Sequence, residues 1–157
     1  MSQYRQRARA AASAVALSAL IGAAVPGVSL AQSVSGGTSG GVGGGDVSAS
    51  TYGSGQQTTS PDGTSIGVQG GGEAAALNGG SASTKSDAKL NERRAMQRSM
   101  ARARDEDEQA RSRTRTMVRQ GEVRSRTMSF YKQKGEKPQH EMTYSVTTPE
   151  GTTTKTK

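Results

Sequence analysis

Past residue 31 the chain offers eleven Leu, Ile, Val or Phe side chains in 126 residues, about 9%, and no cysteine anywhere. That shortage constrains the fold more tightly than any other feature. So few large aliphatic groups are expected to bury too little surface to offset the entropy of ordering the chain. No disulfide is available to staple a small core. The expectation is a largely disordered, low-complexity chain with no sizeable core, and one ordinary domain is the most its length can hold.

Residues 1–31 stand apart. Arg5, Arg7 and Arg9 form a basic head, and no acidic residue occurs before Asp46. Residues 10–25 are uncharged, with Val15, Leu17, Leu20 and Ile21 set among alanines, and Pro26-Gly27 then breaks the run. Ser29-Leu30-Ala31 supplies a small-x-small site, so this order is that of a secretory signal cleaved after Ala31. The sixteen residues before Pro26 fall short of the roughly 20 that span a bilayer. Paired arginines are absent from the head, which gives a twin-arginine route no support. Without cysteine there is no lipid-modified residue at the cleavage site. The expected address is outside the cytoplasm, in a bacterial periplasm, at the cell surface or in the medium.

Charge divides the remainder. Residues 32–84 carry Asp46, Asp62 and Glu73 and no Lys or Arg, whereas residues 85–137 carry sixteen Lys or Arg against eight Asp or Glu. Residues 138–157 are neutral. The first of these segments has sixteen glycines in fifty-three residues and reads as a flexible Gly/Ser/Thr-rich region. Within it Tyr52, Ile66 and Val68 could support a short strand pair around the turn Pro61-Asp62-Gly63.

Residues 85–122 read as a basic, charged segment dominated by one long α-helix over about 87–119. Ser86 or Asp87 can cap its start, Gly121 can close it, and glycine and proline are absent from 87–120. Met96, Met100, Ala103, Ala110 and Met117 recur at steps of four and three, broken by Asp107 and Thr114. Two such helices could pair along that stripe as a coiled coil. A competing reading comes from Arg113-Thr114-Arg115-Thr116-Met117, which recurs as Arg124-Ser125-Arg126-Thr127-Met128. With Gln120-Gly121 between Val118 and Val123, the two runs could form a hairpin instead. Helix to about 119 is the preferred expectation.

Residues 123–148 suggest a C-terminal β-hairpin with strands over about 123–131 and 139–147. Met128 and Phe130 share one face, as do Met142, Tyr144 and Val146. Pro149-Glu150-Gly151 turns the chain into a Thr/Lys tail, residues 149–157. It resembles the Pro61-Asp62-Gly63 turn through shared turn chemistry.

Catalytic and metal chemistry find little material. His140 is the single histidine, too few for a zinc or copper site, and no nucleophile–base pair accompanies it. Asp105–Glu108 reads as a solvated acidic run rather than a carboxylate pair held apart in pKa. Gly40-Gly41-Val42-Gly43-Gly44-Gly45-Asp46 misplaces its aspartate by one position for a calcium-binding glycine repeat. No cofactor or metal is expected, and no enzyme.

What remains is the basic segment. Arginine suits bidentate contact with phosphate or sulfate, so Arg93, Arg94, Arg98, Arg102, Arg111, Arg113, Arg115 and Arg119 are the candidate polyanion-binding residues. An anionic envelope polymer or an anionic lipid surface is the expected partner. Aromatic residues for base stacking are nearly absent, so sequence-specific nucleic-acid reading is not expected. A small exported, non-enzymatic protein follows. The alternative is an assembly subunit or structural component of a surface layer or fibre, built by self-association.

Overall fold

Alternation with a period of two, not the helical period, organises the chain. In the computed structural model, which describes residues 32–91 and 93–157, β6 (Glu108–Arg119) reads Glu-Gln-Ala-Arg-Ser-Arg-Thr-Arg-Thr-Met-Val-Arg and buries every second residue. Small Ala, Ser and Thr side chains face inward, and arginines face solvent. The same alternation runs through β5 (Arg94–Arg104) and β7 (Glu122–Gln133). It is the signature of a strand with one covered face.

Among the described residues nine strands form two antiparallel sheets. The first sheet holds β1 (Gln32–Gly44), β2 (Val47–Ser60) and β3 (Gly63–Ala76) in that order. The second runs from β4 (Ser81–Asn91) through β5, β6, β7 and β8 (Gln139–Thr148) to β9 (Gly151–Thr156). Every neighbour pair is antiparallel and consecutive in sequence, so short turns suffice as connections. The three-stranded sheet lies over the middle of the six-stranded one: β1 over β7, β2 over β6 and β3 over β5.

The layer between them is filled by an unusual set of side chains. Two small apolar clusters mark its ends, Val47, Ala49, Ala101, Ala103, Ala110 and Tyr131 at one, Val34, Ala95, Val118 and Val123 at the other. Between them lie hydroxyls. Thr38 Oγ1 sits 2.7 Å from Ser125 Oγ and 2.8 Å from Thr127 Oγ1, and Thr51 Oγ1 sits 2.7 Å from Ser112 Oγ and 2.8 Å from Thr114 Oγ1. Thr114–Thr127 and Thr116–Ser125 extend the network within the larger sheet. Ser112 also donates to the Gly40 carbonyl at 2.9 Å. Every one of these hydroxyls has at least one hydroxyl partner, and the orphaned atom of the layer is Gln97 Oε1. Glycine on the smaller sheet makes room for this: a Cβ at Gly40 would lie 2.8 Å from Thr127 Cγ2, and one at Gly53 2.8 Å from Thr114 Cγ2.

These observations overturn the expectation of a largely disordered chain with no sizeable core. Apolar content was counted in Leu, Ile, Val and Phe, whereas here Ala, Ser, Thr and Gly fill the interior. The Gly/Ser/Thr-rich residues 32–84 form β1, β2, β3 and the start of β4 rather than a flexible region. Among the described residues there is no helix, so neither the basic helix over 87–119 nor a coiled coil built on it exists. The supposed helical stripe is split between faces: Ala103 and Ala110 are buried, while Met96, Met100 and Met117 lie on the opposite side. Burying the alternating small residues against the glycine-rich sheet outweighs the high helix propensity of Arg, Met and Ala, which differs from that of most other residues by less than about 1 kcal/mol each. The hairpin reading of the repeated Arg-x-Arg-Thr-Met motif describes what forms, with Val118 opposite Val123. The expected lone C-terminal hairpin is instead the pair β7–β8 inside a six-stranded sheet. The export signal over 1–31 lies outside the described residues.

Candidate polyanion interface

Among the described residues nothing covers the face of the larger sheet that points away from the glycine-rich sheet. Alternation places Arg94, Arg98, Arg102 and Arg104 there from β5, Arg111, Arg113, Arg115 and Arg119 from β6, and Arg124 and Arg126 from β7; all are exposed. Register then sets them side by side. Arg98, Arg115 and Arg126 are directly opposite one another across three strands, and the row continues to Tyr144 and Lys155. Arg94 opposes Arg119, and Arg102 opposes Arg111. Neighbouring strands are about 4.8 Å apart, so these are close like-charge pairs of the kind that destabilise a sheet.

Methionines and aromatics separate the arginine rows. Met100, Arg113, Met128 and Met142 form one row, and Met96, Met117, Arg124 and Val146 another. Met96 Sδ lies 3.4 Å from Arg115 Nη2, so the thioether packs beside a guanidinium stem. Phe130 and His140 stack with ring centroids 5.0 Å apart at a 59° tilt.

Counter-charges are few. Among the described residues the ion pairs are Arg124–Glu122 at 2.8 Å, Lys134–Asp107 at 2.8 Å and Lys85–Asp87 at 4.0 Å. Only the first engages an arginine. The Glu122 carboxylate, through its hydrogen bond and then its charge, raises the Arg124 pKa, and Asp107 does the same for Lys134. Among the described residues no ion pair engages Arg98, Arg115 or Arg126, although Asp87 of β4 lies opposite Arg98 at the end of their row.

Asp46, Asp105, Glu106, Asp107 and Glu108 gather at one end of the sandwich. Asp105 Oδ1 accepts from the Asp107 and Glu108 amides at 2.9 and 2.6 Å, closing the β5–β6 turn. Glu108 is buried with both oxygens satisfied: Oε1 accepts from the Tyr131 hydroxyl at 2.9 Å and Oε2 from the Asp46 amide at 2.9 Å. Burial, followed by the hydrogen bond to Glu108, pushes the Tyr131 phenol up to about 12. Among the described residues no group of three or more His, Cys, Asp or Glu is placed to hold a metal ion.

Seven of the eight sequence-predicted arginines share this face; helical spacing had no part in bringing them together. The eighth, Arg93, sits in the turn before β5, its amide donating to Asn91 Oδ1 at 3.2 Å. It lines an open depression of about 600 Å³ with Arg94 and Arg119 at that end of the sandwich. Sequence reasoning missed Arg104, Arg124 and Arg126. The Arg-x-Arg spacing at 102–104, 111–115 and 124–126 carried the signal, because in a strand it puts all of them on one side. Comparisons of the chain with protein-family models, curated proteins and solved structures give no match.

Proposed function

We propose that this chain is an exported, non-enzymatic protein that holds a polyanion against its flat arginine face. The row of directly opposed arginines, Arg98, Arg115 and Arg126, carries the reading. Three cations at strand spacing store mutual repulsion that a run of phosphates or sulfates relieves, and each guanidinium can bind such a group bidentately. The flat surface suits an extended polymer or the headgroup layer of an anionic lipid surface, since both present repeated charge in a plane. The basic, alanine-rich residues 1–31 support export, which sets the available polyanions as those of a cell envelope or its surroundings.

Binding of dextran sulfate, followed by fluorescence anisotropy over a series of NaCl concentrations, tests this. Affinity is expected to fall steeply with salt as counterions are displaced. Replacing Arg98, Arg115 and Arg126 by glutamine should weaken binding and lower the log–log salt slope by about one per arginine that contacts the polymer. Affinity that is indifferent to salt, or to the triple replacement, sinks the proposal. Vesicles with and without phosphatidylglycerol, compared with the free polymer, distinguish a lipid surface from a soluble chain.

A further inference from the structure

The two sheets are offset, and the offset leaves one side of the sandwich unfinished. The smaller sheet ends at β1, above β7, while the larger continues for two more strands. On the inner side of that overhang Thr152, Thr154 and Thr156 of β9 are exposed, beside the buried Thr143, Ser145 and Thr147 of β8. The ledge is uncharged, in contrast to the arginine face behind it.

Beside the ledge runs the outer edge of β1, which pairs with no other strand among the described residues. It is thirteen residues long, pairs with β2 in unbroken register, and contains no charged residue and no proline. Such an edge is a template for another strand unless something blunts it. β4 is blunted by Lys85, Asp87 and Lys89, whereas β9 carries a single charge, Lys155, on its outer side. β3 holds Glu73, and its Gly70 carbonyl accepts from the Ser86 hydroxyl at 3.2 Å.

We propose that a second copy of this chain fills the gap, its β9 pairing with this β1 and its β1 with this β9. The topology selects that arrangement. A two-fold axis perpendicular to the sheets would join β1 to β1, but it would drive each β8–β9 overhang into the other copy's larger sheet. A two-fold axis along the strands exchanges the layers and sets each overhang opposite the other, threonine ledge on threonine ledge. Strand sense follows. Thr38 bonds Ser125 and Thr127, and Gly44 lies against Tyr131, so β1 runs in the sense of β7 and therefore of β9. The joint is parallel. Gly36 abuts Thr147, which pairs with Thr152, and Thr38 lies level with Arg126, Tyr144 and Lys155. β9 of the copy thus meets the Gly36–Gly40 part of β1, and Ser39, on the outer side of that strand, falls beside Lys155 of the partner subunit.

The joint touches the arginine face only at Lys155, the far end of one row, and its test uses no polymer, so it stands or falls separately from polyanion binding. Sedimentation equilibrium of the purified protein, without any polymer, should show a monomer–dimer equilibrium. Ser39→Lys is expected to weaken the dimer about tenfold, because the repulsive cross-strand pair occurs twice. Ser39→Glu should strengthen it, and Ser39→Lys combined with Lys155→Glu should restore it. Ser39 is half-buried on the outer side of β1, so urea midpoints of the monomers serve as the check on folding. A monomer at every concentration overturns the proposal, as does a dimer that ignores the charge at Ser39 and Lys155.

Discussion

The Tyr131 hydroxyl ties the acidic end of the sandwich together by donating to Glu108 Oε1. Its phenol is raised from 10.0 to about 12, so the folded state favours the neutral form. The stability this provides is complete below the unfolded value near 10 and is lost as pH climbs through about 12. Urea unfolding of the wild type should therefore weaken across that window by on the order of 2 kcal/mol more than that of Tyr131→Phe. At neutral pH the same variant should itself be destabilised by about 1–3 kcal/mol, since Glu108 Oε1 loses its donor. The hydroxyl layer makes a second residue-level prediction. Thr51→Val keeps the shape of the side chain but leaves Ser112 and Thr114 with one partner fewer, and should cost about 1–2 kcal/mol by urea denaturation. If the layer were merely small and not hydrogen-bonded, the valine would be neutral or stabilising.

At the scale of elements the turns are the part that sequence patterns specify most directly. Pro61-Asp62 and Pro149-Glu150 are both two-residue turns followed by a glycine at φ 141° and 147°, which is why the two Pro-acid-Gly turns look alike. Gln120-Gly121 adopts φ 50° and 78°, positive at both positions as a hairpin turn between twisted strands requires. Glutamine is a poor occupant of that conformation, and Gln120→Asn should stabilise the protein by about 0.5–1 kcal/mol in thermal or urea unfolding. The strands themselves were hidden for a physical reason. Periodic patterns are read from large apolar residues, and β6 alternates Ala, Ser and Thr with Arg, so its buried column looks polar. Half of the legible signal was the Arg-x-Arg spacing, which identified the charged residues of the interface but was assigned to the wrong period. Arg104, Arg124 and Arg126 were lost with that assignment. What no local pattern encodes is the packing of glycines on β1 and β2 against hydroxyl side chains on β7 and β6, nearly ninety residues away where Gly40 meets Thr127 and about sixty where Gly53 meets Thr114.

For the whole molecule, fold and interface pull against each other. The alternation that buries the small residues forces the arginines onto one face, where Arg94–Arg119, Arg98–Arg115, Arg102–Arg111 and Arg115–Arg126 are opposed. Each such pair costs roughly 0.2–1 kcal/mol, and the cost is electrostatic, so added salt reduces it. Folding stability, measured with urea so that the denaturant adds no ions, should therefore rise by about 1–3 kcal/mol between low and moderate NaCl. Polyanion binding should fall over the same range. Opposite signs from one ionic-strength series are the mark of a face whose charges repel one another when free and are satisfied by a ligand. A protein whose arginines were already paired within the fold would lose stability with salt instead. Replacing Arg98, Arg115 and Arg126 with glutamine should flatten both dependences together, because the same three guanidinium groups produce them.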